Sequence, residues 1–438
     1  MIRTLRCQCL PMIRRLLRLS LACLLLTVAC STRVDAQQGS PSSRTKTSAT
    51  APDSGRRLPP AEFRAAWIAT VDNIDFPSKP GLSPQELRRE IDAIVARAVE
   101  LRLNALIFQV RPAADAFYQS PLEPWSEWLT GTQGKAPAEN FDPLTYIIAR
   151  SHRYGLHLHA WFNPFRCSHP AGKSKPDKAH VSQRAKDLVV TYGKYGWMDP
   201  GHPTARKWSL AVIQDVVRRY DIDGVHIDDY FYPYPVAKKP FPDSASFKAY
   251  RKNGGRLGRD DWRRSNIDGF VKDMYEIVHA DKPWVWVGVS PFGIARPGVP
   301  RGIKAGLDQY GGLYADVPKW LRKGWLDYLA PQLYWPIDQK PQAFKVLLDY
   351  WHEQNVKDRA IWPGLYTSKI RGGGGLLRAT ELRDQIRLTR QKDSTMPGHI
   401  HFSFKALRGD HALVSRQLQR EVYTEPAAIP VLPWLPSR

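Results

Sequence analysis

The stretch "IDGVHIDDYFYPYP", residues 222–235, places two adjacent acids, Asp228 and Asp229, in an apolar and aromatic run. Side chains alternate across a strand. Val225 and Ile227 therefore share one face, suited to packing beneath helices, while His226, Asp228 and Tyr230 share the other. Burying charge in a sheet is costly, so a strand that ends in two carboxyl groups reads as one that delivers them to an open site. Asp229 has the apolar parity, but it stands at the strand's exit, where the chain can turn and expose it.

Outward from this run the same texture recurs. Short β-branched or aromatic stretches appear at 63–71 ("FRAAWIATV"), 105–112 ("ALIFQVRP"), 157–164 ("HLHAWFNP"), 284–291 ("WVWVGVSP"), 328–335 ("YLAPQLYW"), 360–367 ("AIWPGLYT") and 399–406 ("HIHFSFKA"). Helical patterns lie between them. "SPQELRREIDAIVARAVELR" (83–102) opens on Ser83 and Pro84 and repeats apolar residues at Leu87, Ile91, Ile94, Val95 and Ala98, the signature of a capped amphipathic helix. "DPLTYIIARSHRYG" (142–155) starts on Asp-Pro and stops at Gly155. Eight strands alternating with helices predict an α/β fold, a (β/α)8 TIM barrel over residues 61–425 followed by a short tail, 426–438. An open doubly wound sheet fits less well, because "TVDNIDFPSKPG" (70–81) after the first run holds no Gly-rich phosphate loop. "RGGGGL" (371–376) lacks the order of such a loop and reads as a connection.

The first thirty residues differ from the rest. They hold five arginines, no acid, and an apolar run from Leu19 to Cys30, too short to span a bilayer and patterned as an export signal. "TVAC" (27–30) resembles a lipoprotein processing site that would lipidate Cys30, although Thr27 stands where Leu is usual; "VDA" (34–36) offers soluble cleavage before Gln37 instead. Residues 31–60, rich in Ser, Thr, Pro and Gln, read as a disordered, flexible tether. The mature chain keeps Cys30 and Cys167 and no CxxC pair, which argues against a disulfide framework or a zinc site and makes Cys167 a core filler. The 64 Lys and Arg against 42 Asp and Glu give a net charge of +22. Export argues against nucleic acid as a partner for this charge and leaves an envelope polymer or a membrane surface, while a high genomic arginine content would give the same charge with no functional cause.

In a barrel of this kind the active site lies at the C-terminal strand ends. Those ends carry Asp72 and Asp75; Gln109, Arg111 and then Asp115; His159, Trp161 and Asn163; and Gln332, Tyr334, Trp335 and Asp338. Aromatic faces with amides and carboxylates are the composition of a carbohydrate cleft. Glycoside hydrolysis needs two carboxyl groups. Asp228 is the primary candidate. Asp229, Asp72, Asp115, Asp338 and Glu127, in the aromatic loop "PWSEWLTGTQG" (124–134), are candidate partners. "HLH" (157–159) and "HIH" (399–401) sit early in their strands and read as core histidines near the barrel floor rather than metal ligands.

Five blocks in order, "FRAAWIATVDNIDFP", "FQVRPAADAFYQSPLEPWSEWLTGTQG", "FDPLTYIIARSHRYGLHLHAWFNPFR", "WMDPGHP" and "DGVHIDDYFYPYP", resemble the bacterial glycosyl-hydrolase-like family ten from about Arg64 to Leu407. The resemblance implies a TIM barrel with glycosidase-type activity, in some members as envelope lipoproteins that cleave peptidoglycan glycan strands. It also implies that Asp228, Asp229, Gln109, Arg111 and Asn163 line the cleft. The last block is similar to the DGxDxDxE signature of chitinase-type barrels, with Asp223, Gly224, His226 and Asp228 in register and Tyr230 in place of the terminal acid. The substrate-assisted chitinase mechanism is therefore not expected.

The expectation is an exported glycoside hydrolase of the periplasm or outer membrane, lipid-anchored through Cys30, that cleaves peptidoglycan glycan strands without metal or organic cofactor. Asp228 would be the catalytic carboxylate and Asp229 or Glu127 the proton donor. Asp72, Gln109, Arg111, Asn163, His226, Tyr230, Gln332, Tyr334 and Trp335 would bind the sugar. The competing readings are an inactive glycan-binding barrel, an enzyme on another glycan, and a metal-dependent polysaccharide deacetylase.

Overall fold

The computed structural model describes residues 59–370, 379–409 and 413–438, all within one unit spanning 57–438. The expected leader with Cys30, the tether up to residue 58 and the "RGGGGL" connection lie outside the described residues.

Each of the eight expected runs holds a strand. In chain order the strands are β1 (Phe63–Ile68), β2 (Ala105–Arg111), β3 (His157–Phe162), β4 (Arg166–Ser168), β5 (Val189–Tyr192), β6 (Tyr195–Met198), β7 (Gly224–Ile227), β8 (Trp286–Val289), β9 (Tyr328–Leu329), β10 (Ala360–Ile361), β11 (Gly364–Leu365) and β12 (Gly398–His401). The main sheet runs β10-β9-β8-β7-β3-β2-β1-β12-β11, with every neighbouring pair parallel. Its two edges, β10 and β11, are one strand broken at Pro363, which has no N–H to give to a ladder. Trp362 N still donates to Leu329 O on one side (2.8 Å), and Pro363 O accepts from Ile400 N on the other (3.0 Å). The sheet thus closes on itself as an eight-position barrel, with β7 fourth.

The helices form for the reasons visible in the sequence. Ser83 and Glu86 make a reciprocal capping box at the start of the Pro84–Glu100 helix, and Leu87, Ile91, Ile94, Val95 and Ala98 are its buried face. Asp142 caps the Pro143–Arg153 helix by accepting from Thr145 N at 2.9 Å.

Alternating parity divides the core into two layers. Outward residues such as Ile68, Phe108, Leu158, Val225 and Ile227 pack under the helices, while Phe63, Trp67, Trp161, Trp286, Tyr328 and Trp362 fill the barrel interior. Rings this large need space. A Cβ on Gly288 would lie 1.9 Å from the Tyr328 ring, and one on Gly224 would lie 2.7 Å from His159, so glycine at these inward positions admits the aromatic filling. Cys167 is buried, and burial pushes its thiol up to about 12, consistent with an inert core residue.

Two features were not anticipated. After β3 the chain forms a separate antiparallel sheet of order β4-β6-β5 beside the barrel mouth. Residues 426–438 pack across the barrel floor: Glu62 N donates to Ala428 O (2.9 Å), Leu432 is buried, and Trp434 Nε1 donates to Asp327 (2.8 Å).

Candidate active site

β7 leaves the sheet after Ile227, and the next two residues turn their carboxyl groups into a cleft of about 270 Å³ at the C-terminal ends of the strands. Asp228 is 5 % exposed. Its Oδ2 accepts from Trp161 Nε1 at 3.0 Å, and the Asn163 side-chain nitrogen stands 3.3 Å from both oxygens. The Asn163 amide is held in this orientation because its Oδ1 accepts from Arg166 N at 2.9 Å. Asp229 accepts from the Tyr234 hydroxyl and from the Gln332 amide.

Burial pushes the Asp228 carboxyl up to about 7, against the pull of the Arg166 guanidinium and helped by the adjacent Asp229 charge. Burial raises Asp229 as well, opposed first by the bond from Tyr234. The charge on Asp229 adds to the rise at Asp228, so Asp229 is the one that ionises first. Tyr234 is itself pushed well above its ordinary value by burial and by Asp229. It stays a donor, and a donor fixed on Asp229 favours the charge there. Asp228 is left as the member that holds a proton near neutral pH.

The walls are aromatic: Trp67, Trp161, Tyr230, Tyr334, Tyr366 and Phe402. Gln109 reaches the cleft with its amide committed. Its Oε1 accepts from Thr70 N (3.0 Å) and Val71 N (2.9 Å), and its Nε2 is buried without a partner. Tyr230, Gln332 and Tyr334 also line the cleft, as expected.

Several expected residues are elsewhere. Glu127 does not line the cleft; its Oε2 accepts from Lys173 N (2.7 Å) and Ser174 N (2.8 Å) and so ties down a loop. Arg111, 1 % exposed, is sealed in an ion pair with Glu123 (2.5 Å) and donates to Asn163 O (2.6 Å) and Pro164 O (2.9 Å), so no donor faces a ligand. Asn163 stands behind Asp228 rather than in the cleft. His226 points inward as its parity requires but lies too deep. Trp67 Nε1 donates to its Nε2 (3.0 Å), and its Nδ1 meets the Tyr328 hydroxyl (2.8 Å). Burial lowers it to about 3, so it is neutral. Trp335 packs edge-on to Phe292 at 5.6 Å, outside the cleft lining. Asp72 is exposed on the Val71–Asn73 turn with φ 54°; the cleft takes its neighbours Val71 and Ile74 instead. Of the other acids weighed, Asp115 is buried, with its carboxyl accepting from Ala113 N at 3.1 Å and Gln133 Nε2 at 3.3 Å.

Arg166 was missed. It is 3 % exposed, its Nε donates to Pro112 O (3.0 Å), and its guanidinium sits 5.0 Å from the centre of the Tyr230 ring while lining the cleft. A lone arginine four residues beyond the end of β3 gives only a faint signal in sequence. Tyr234, flanked by Pro233 and Pro235, was also missed, although two prolines around one tyrosine restrict its backbone. Among the described residues no three His, Cys, Asp or Glu side chains converge on a metal-sized site.

A barrel whose fourth strand brings paired carboxyl groups into an aromatic trough is a protein of glycoside-hydrolase type. The glycosyl hydrolase-like 10 family matches residues 62–373, and the chain belongs to it. It is 41 % identical over 383 residues to the glycosyl hydrolase YngK of Bacillus subtilis (85 % of this chain, 74 % of that protein). It is 32 % identical over 349 residues to the glycosyl hydrolase DigH of Escherichia coli (75 % and 76 %). Two solved structures share the fold. The glycoside hydrolase domain of PgaB (BpsB) from Bordetella bronchiseptica has a TM-score of 0.54 at 13 % identity, over 83 % of this chain and 99 % of that one. The β-amylase catalytic domain from Paenibacillus polymyxa has 0.56 at 11 % identity, over 85 % and 100 %.

Proposed function

We propose that this protein hydrolyses glycosidic bonds in an envelope polysaccharide, the glycan strands of peptidoglycan, with Asp228 and Asp229 as the working pair. The observation that carries this reading is the carboxyl pair itself: two acids in one aromatic cleft, one of them raised by burial to about 7. Glycoside hydrolysis requires a protonated acid and an ionised partner at the same pH. Asp228 gives its proton to the glycosidic oxygen as the bond to the anomeric carbon breaks. Asp229, ionised under the Tyr234 hydroxyl, faces the positive charge that develops there; the oxygen of a water then bonds to the anomeric carbon and one of its protons returns to Asp228, restoring the pair. These roles reverse the expected ones and leave Glu127 out of the reaction. The aromatic walls stack on the apolar faces of the sugar.

The basic, apolar leader and the net charge of +22 support export and a place in the periplasm or at the outer membrane, held through a lipid on Cys30. Both named relatives above are glycosyl hydrolases, which supports the reaction class.

Purified protein incubated with peptide-stripped glycan strands is expected to release new reducing ends, and Asp228→Asn to abolish their release while still binding the strands. Binding without product in the wild type would instead make this a glycan-binding barrel, the reading favoured by Tyr230 in place of the chitinase-type acid.

A further inference from the structure

A second cavity, about 590 Å³, opens beside the acid cleft and shares Tyr230 and Tyr234 with it. Its walls are built rather than incidental. The β5–β6 hairpin turns at Gly193, which has φ +60°. Tyr192 Oη donates to Lys239 O (2.7 Å) and accepts from Val236 N (2.8 Å), which pins the loop after β7 to that hairpin. Trp197 Nε1 donates to Phe231 O (3.1 Å) and closes the back. Tyr195 packs edge-on to both Trp197 (6.3 Å) and His169 (5.7 Å), and His169 lines the acid cleft. A chain of sugars leaving the carboxyl pair past Tyr230 and Tyr234 therefore enters a space lined by further aromatic rings.

The cavity also carries charge of one sign. Lys194 and Lys239 line it, both are exposed, and among the described residues neither pairs with an acid. Two ammonium groups beside aromatic faces suit an anionic sugar. The apolar rings take the sugar's C–H face and the lysines take a carboxylate.

We propose that this cavity is a subsite continuing the acid cleft, and that Lys194 and Lys239 select a carboxylate-bearing unit of the glycan one or more residues from the scissile bond. The proposal rests on the glycoside-hydrolase reading above and adds a site and a charge preference to it. Two sources of a carboxylate on a glycan chain are the lactyl ether of muramic acid and a uronic acid, and the test separates them.

The Asp228→Asn protein, which holds substrate without turnover, is titrated by calorimetry with three tetrasaccharides. These are alternating N-acetylglucosamine and N-acetylmuramic acid, chitotetraose as its neutral counterpart, and a tetragalacturonate. The acidic ligand that fits is expected to bind about tenfold more tightly than chitotetraose at low salt, about what two exposed charge contacts supply. That preference should shrink at high salt and vanish in Lys194→Gln/Lys239→Gln, with chitotetraose affinity unchanged. Which acidic ligand gains identifies the carboxylate's source. Equal affinity for chitotetraose and both acids would overturn the subsite, as would a preference that persists in the double variant. Glycan cleavage by the wild type would in that case leave the hydrolase reading standing. Failure of every tetrasaccharide to bind would remove both.

Discussion

Below the mouth, the Tyr328 hydroxyl joins His159 and His226 inside the barrel, and the Tyr423 hydroxyl joins His399 and His401 on its outer face under the helices; at the mouth, Asp228, Asp229 and Gln109 meet a cleft. Both regions bury titratable groups among aromatic rings, and they treat them in opposite ways. Below the mouth, burial lowers all four histidines below their ordinary value, so neither network carries charge. Inside the barrel, the direction of the bonds follows from the one fixed donor. Trp67 Nε1 donates to His226 Nε2, so His226 Nδ1 donates to Tyr328, and Tyr328 donates to His159. At the mouth the donors converge on carboxyl oxygens and keep a proton exchangeable. Buried polarity becomes chemistry where one side of it is left open.

That contrast can be broken by mutation, and the largest effect is expected at the mouth. Asp228→Asn and Asp229→Asn, measured by release of reducing ends, should each lower kcat by roughly 10²–10⁴-fold, the range for removing a general acid or its partner. The ion pair beneath the mouth should behave differently. Arg111→Met strips Glu123 of its partner and is expected to cost roughly 3–5 kcal/mol in chemical denaturation, while the folded fraction binds glycan as before.

Asp228 also links stability to pH. Its carboxyl is raised from 3.8 to about 7 on folding. Its contribution is therefore fully present below about 4, where the group is neutral folded or unfolded, and is lost as pH rises through about 7. Asp228→Asn should then stabilise the fold at pH 8 by on the order of 3 kcal/mol and leave it unchanged near pH 4. Thermal melts at the two pH values check the sign. The smallest effect is expected inside the barrel. Tyr328→Phe removes bonds to two neutral histidines and should cost about 1–3 kcal/mol in stability without moving KM.

The periodic parts of this architecture were legible in the sequence. The eight runs, the Ser83 and Asp142 caps and the inward parity of His226 and Asp228 follow from alternation and end signals that operate within a few residues. His157 and His159 sit early in β3 as expected, whereas His401 closes β12 and faces outward beside Ala66, away from the barrel floor. Depth and partnership were not legible. Arg111 looks like a ligand-binding arginine until Glu123, twelve residues on in a loop, is seen to take its guanidinium. His226 and Asp228 have the same parity, and only the positions of Trp67 and Tyr328 make one sealed and the other accessible. Glu127 lies in an aromatic loop as expected, yet two backbone N–H groups hold it there. Arg166 and the β4–β6 sheet come from an insertion whose short strands have no periodic neighbour to pair with in the sequence.

The central claim is that Asp228, beside an ionised Asp229, holds a proton near neutral pH and gives it to a glycosidic bond. The pH dependence of kcat/KM for reducing-end release from peptide-stripped glycan strands tests it most directly. The expected profile is bell-shaped, with an alkaline limb near 7 as Asp228 loses its proton and an acid limb as Asp229 gains one, the alkaline limb disappearing in Asp228→Asn along with most of the rate. Hydrolysis by Asp228→Asn at the wild-type rate with the same alkaline limb would contradict it.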